Sequence, residues 1–138
     1  MPSSTARTAT GVTVSITRDP ALVRTVRLVA AAVARRTGRD EEFVEEVRLA
    51  VGEACALLIG AVPDVGTDHV EDPVTVAIVI DEGLTVEVTS TAAIDVNDPP
   101  HGDVDGVEPW ALLRALIEDF EVAQAGATTT VRMSWKIS

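Results

Sequence analysis

The sequence predicts an α+β fold: a two-layer sandwich with a mixed or antiparallel sheet of four to five strands and three helices on one face. Three observations lead there. Apolar and polar residues alternate at 12–16, 74–80 and 84–88, the period of a half-buried strand. Apolar stripes at helical spacing run through 20–37 and 41–60. The elements follow one another as β-α-α-β-β-α-β, so the strands gather beside helices that cover one side.

Each element has its own signals. Val12, Val14 and Ile16 alternate with Thr13, Ser15 and Thr17, which makes the first strand. Asp19 caps and Pro20 opens the first helix, whose stripe is Leu22, Val26, Val29 and Val33; Gly38 ends it. Asp40 caps the second helix, with Glu41 and Glu42 at its positive end. Phe43, Val47, Ala50, Val51, Ala54 and Leu58 form its buried face, and it runs to about Gly60. Residues 61–72 read as a polar loop. Val74–Ile80 and Leu84–Val88, joined by Asp81-Glu82-Gly83, read as a hairpin. Residues 92–109 are rich in Pro, Gly and Asp and read as a long loop, a type that is functional or disordered. Residues 110–119 make the third helix, 120–123 a strand edge, and the closing stretch a last strand.

At 138 residues the chain fits one domain. Residues 1–10 lack an apolar core segment and read as a disordered tail, leaving 11–138 as the domain. Hydrophobic residues at 46% with 24% charged fit a globular protein. No apolar run reaches the roughly 18 residues that span a bilayer. The one cysteine, Cys55, has no partner for an internal disulfide, which fits the cytoplasm. With two His and one Cys, a transition-metal site is not expected. The formal net charge of −11 opposes direct nucleic-acid binding and favours a basic protein partner, although the same charge also serves solubility.

Against this background one residue stands out. The stretch from Leu49 to Val62 contains a single charge, Glu53. An ionised carboxylate buried alone is costly. Glu53 is therefore either a helix-edge residue that reaches water or pairs with Arg48 or Arg114, or it faces a polar pocket between helix and sheet.

The helix "EEFVEEVRLAVGEACALLI" resembles the signature helix of the GHKL, or Bergerat-fold, ATPases, and most closely the anti-sigma factor serine kinases of the RsbW and SpoIIAB type. The likeness extends to "VTVSITRDPALVRTVRLVAAAVARR", the central hairpin, "LLRALIEDFEV" and the last strand. It implies a histidine-kinase-like ATPase fold, a homodimer, and a sigma factor and a STAS-domain anti-anti-sigma factor as partners. It also implies that Glu53 stands where the family keeps the general base that activates a substrate serine. In active members ATP and magnesium are the cofactors. Here the magnesium-binding Asn is replaced by Leu57, which has no oxygen to offer. The adenine-reading Asp-x-Gly aligns with Ser90 and Ala92, and the phosphate-loop glycines align with Val107 and Pro109. No nucleotide cofactor is therefore expected, and Glu53 reads as the remnant of a catalytic base. The family's partner contacts fall on the first helix, where Arg24 and its neighbour Arg27 match; Arg24 reads equally as a solvated residue on a polar face.

The resulting expectation is an anti-sigma factor-like regulator without kinase activity. Two alternatives stand beside it: an active, divergent serine kinase of a STAS-domain protein, and a module that only sequesters that protein.

Overall fold

The computed structural model describes residues 10–60, 73–91, 113, 115, 117 and 119–137. The expected tail 1–10, apart from Thr10, and the loops 61–72 and 92–109 lie outside them. Strand β1 is Thr10–Ile16. A short 3-10 turn at Pro20–Leu22 leads into helix α1, Val23–Arg35, so the first helix starts as a tighter coil than its sequence predicts. The Asp19 carboxylate accepts the Ala21 N–H at 2.9 Å, as a cap does. Gly38, at φ 80°, takes the left-handed conformation that ends α1. Helix α2 is Glu41–Gly60. The Asp40 carboxylate accepts the Phe43 N–H at 3.0 Å and caps it as expected.

Strands β2, Val74–Ile80, and β3, Gly83–Thr91, form the expected hairpin. Strands β4, Asp119–Ala125, and β5, Thr128–Lys136, form a second one. The sheet order is β1-β2-β3-β5-β4, and every neighbouring pair is antiparallel. Of the mixed and antiparallel options, the antiparallel one forms.

Two parts of the expected architecture are corrected. The described residues form two α-helices, not three. Leu113 and Ala115 are helical, and the Ile117 N–H reaches the Leu113 carbonyl at 3.1 Å, which is one turn. By Asp119 the chain is already a strand. Phe120 and Val122 turn toward the core while Asp119, Glu121 and Ala123 stay exposed, and that period of two defeats a helix. The sheet is also a single open layer with β1 and β4 as its edges, neither closed nor curled into a sandwich face.

The core lies between one sheet face and the two helices. Val74, Val76 and Ile78 of β2, Leu84, Val86 and Val88 of β3, and Val131, Met133 and Trp135 of β5 are all buried. Their registers set them side by side: Val76 opposite Val88, Val88 opposite Val131, Leu84 opposite Trp135. Every residue of the expected α2 stripe is buried against them. Phe43 meets Trp135 edge to face, with ring centroids 6.5 Å apart. The opposite sheet face is polar, and there Ser15 and Thr75 share a hydrogen bond of 2.8 Å. No helix among the described residues is long and apolar enough to cross a membrane.

Candidate functional site

The apolar face of the sheet turns polar at one end. Along β3 the inward positions run Leu84, Val86, Val88 and then Ser90; opposite Ser90 on β5 is Thr129. Both are buried. A buried hydroxyl needs a partner, and Ser90 has one from far away in sequence. Arg18, in the link after β1, donates a guanidinium hydrogen bond to the Ser90 hydroxyl. Its other terminal nitrogen, Nη1, donates to the Leu58 carbonyl at 2.9 Å. Leu58 lies in the last turn of α2, whose carbonyls have no acceptor role left within the helix. That turn carries no basic residue of its own. Arg18 supplies the cation that a helix C-terminus favours.

Glu53 and Leu57 lie four residues apart on α2, so they share a face. Glu53 is half-buried. Among the described residues it has no hydrogen bond and no ion pair; of the two partners expected from sequence, Arg48 pairs with Glu45 at 3.5 Å instead, and Arg114 lies outside the described residues. Leu57 packs against the core.

These positions do not fit the magnesium and adenine nucleotide that the family resemblance implies. Leu57 presents only carbon where the metal would need oxygen. Ser90 is a hydroxyl already held by a cation, not a free carboxylate. Ala92, Val107 and Pro109 lie outside the described residues.

A second set of residues meets on the outer side of the helix pair. Arg24 is exposed and Arg27 half-buried. They line one open groove of about 440 Å³ with Pro20, Ala21, Val23 and Ala56. Its lining holds two cations and no carboxylate, in a chain of net charge −11. A second groove, of about 360 Å³, shares Arg27 and is lined also by Glu42, Glu45, Glu46, Arg48 and Leu49.

Arg27 is held there by an unusual contact. Its side chain lies across Gly52 of α2, where a Cβ would overlap Nε. The Nε itself is buried and has no hydrogen-bond partner. An unpaired buried donor of this kind costs about 1–3 kcal/mol, and a glycine inside a helix costs about 1 kcal/mol against alanine. Two unfavourable features thus meet at one guanidinium on the surface groove.

Of the residues singled out from sequence, Arg24 and Arg27 come together, and Glu53 and Leu57 share a helix face. Arg18 and Gly52 were not foreseen. The absence of any basic residue in the last turn of α2 was the signal for Arg18, and a glycine in the most helical segment was the signal for Gly52.

The model of the histidine kinase-like ATPase domain matches residues 16–135. No curated protein sequence matches the chain. Among solved structures it is similar to the crystal structure of the RsbU and RsbW domains of Rv1364c from Mycobacterium tuberculosis, with 16% identity and a TM-score of 0.69. The match covers 92% of this chain and 32% of that one, and at this identity the likeness is one of fold.

Proposed function

The chain belongs to the histidine kinase-like ATPase domain family, and on that premise we propose that it is an anti-sigma factor-like regulator that works by binding and not by phosphoryl transfer. Its partners in this reading are a sigma factor and a STAS-domain anti-anti-sigma factor, which compete for it in the cytoplasm. The observation that carries the reading is the groove of Arg24 and Arg27. It offers two guanidinium groups over an apolar floor, a combination suited to an acidic side chain presented by a protein surface. Phosphoryl transfer depends on placing the nucleotide and neutralising its charge. Leu57 and Ser90 supply neither the metal oxygen nor the base-reading carboxylate for that task.

The active form in this reading is a homodimer. Val12 supports it: this apolar residue is exposed on the edge strand β1, where an unpaired strand edge invites pairing.

Glu53 keeps one rival reading in play. A half-buried carboxylate with no described partner is what a divergent serine kinase would retain as its base. One experiment separates the two. The purified chain is incubated with radiolabelled ATP, magnesium and its STAS-domain partner, and binding of sigma factor and partner is measured in parallel. Binding without phosphate transfer supports the proposal. Phosphate transfer that disappears in Glu53→Ala supports the kinase.

A further inference from the structure

We propose that Arg18 is the residue that closes this fold to adenine: its guanidinium fills, from within the chain, the position where a base-reading carboxylate would act. The inference rests on the non-kinase reading above and names the group that enforces it.

Ser90 Oγ accepts a hydrogen bond from Arg18, and the Leu58 carbonyl accepts another at 2.9 Å. A guanidinium has five donors and no acceptor. It therefore lines the end of α2 and β3 with donors. An adenine amino group is itself a donor and needs an acceptor there. One of the two lone pairs of the Ser90 hydroxyl is taken, and the guanidinium that takes it repels a second donor. Arg18 is also anchored at both ends of its fork. Withdrawing it would leave the Ser90 hydroxyl short of a buried partner and the negative end of α2 without its cation.

A consequence follows for Ser90→Asp. In a site without Arg18 that change would return a base-reading carboxylate. With Arg18 in place, the new carboxylate meets a guanidinium already at hydrogen-bond range, and the two form a charge-assisted pair. The substitution then tightens the closure and does not open the site.

The test is a four-member cycle on the full chain: wild type, Arg18→Gln, Ser90→Asp and the double variant, with Arg18→Lys as a milder change that keeps the charge. Thermal midpoints are measured without nucleotide. Adenosine, which needs neither metal nor phosphate contacts, is the binding probe. Arg18→Gln is expected to lower the midpoint by about 5 °C. Ser90→Asp is expected to raise the midpoint when Arg18 is present, to raise it less in the Arg18→Lys background, where the charge remains without the fork, and to lower it in the Arg18→Gln background. Adenosine should bind the double variant at least about ten-fold more tightly than Ser90→Asp alone. Midpoint effects at 18 and 90 that simply add, or equal adenosine binding with and without Arg18, would overturn the proposal. Those results would leave the non-kinase reading standing. Tight Mg-ATP binding by the wild-type chain would sink that reading, and Arg18's role as a closure with it, even where the midpoint coupling survives.

Discussion

Arg27 and Gly52 make opposite demands on the same space. A methyl group at Gly52 would favour the helix by about 1 kcal/mol, but it would overlap the Arg27 side chain. The overlapped atoms belong to the far part of a flexible side chain, so Arg27 yields by swinging into water. Its orphaned Nε is then hydrated. Gly52→Ala is therefore expected to leave the unfolding free energy unchanged or to raise it by up to about 1 kcal/mol. Under the proposed function it should weaken partner binding at the same time, because the guanidinium has left the groove. Urea unfolding and calorimetric titration of the same variant check both halves. A clear loss of stability would mean that Arg27 is held rigidly. Cys55 makes a simpler case. Burial pushes its thiol up from 9.0 to about 12, with the Arg27 charge opposing the rise. The unfolded chain loses this proton first, so between pH 9 and 12 the folded state holds the extra proton and stability falls as pH rises. Below pH 9 the contribution is fully present. The native thiol should resist a disulfide reagent at pH 8 and react once urea unfolds the chain. Fast labelling of the folded protein would contradict its burial.

Among the elements, α2 is legible because its signals are local. The Asp40 cap, the two acidic residues of its first turn and its apolar stripe all lie within one stretch of sequence, and all of them hold in the structure. Replacing the cap, Asp40→Ala, should cost about 1 kcal/mol. Glu41→Ala removes an exposed ion pair with Arg35 and one of two acidic residues in the first turn, and with Glu42 still in place it should cost less than the cap. Urea midpoints for the two variants, at unchanged m-value, measure the difference; equal losses would show that Asp40 is no cap. The stretch from 110 to 125 misleads for the converse reason. Leu113 and Ile117 are four apart and both buried, which mimics a continuing helix. The choice at Asp119 is made by β5, whose residues Ser134, Met133 and Arg132 pair with Asp119, Phe120 and Glu121. A partner strand that follows in sequence outweighs local preference. The candidate site divides along the same line. Arg24 and Arg27 lie one turn apart, so a single helix brings them together. Arg18 meets groups 40 and 72 residues away, and no periodicity records a contact of that separation.

For the whole molecule, charge acts at two ranges that separate in kinetics. A net charge of −11 sets a field felt before contact. A basic partner surface, such as a protein that otherwise engages nucleic acid carries, is drawn in by that field. The groove has the opposite sign, with Arg24 and Arg27 and no acidic lining residue, and under the proposed function it acts only once the surfaces meet. Salt screens the first effect beyond roughly 10 Å at 0.1 M and leaves desolvated contacts largely untouched. Under the proposed function, raising salt is thus expected to slow association with a sigma factor several-fold while dissociation changes little. Arg27→Ala and Arg24→Ala should do the reverse: near-constant association, and dissociation faster by an amount equivalent to about 2 kcal/mol where the contact is a hot spot. Surface-immobilised kinetics across a salt series, run on the wild type and both variants, resolves the two effects. If the arginine variants dissociate at the wild-type rate, the groove is not the docking surface. If association ignores salt, the acidity of the chain serves its solubility and plays no part in finding a partner.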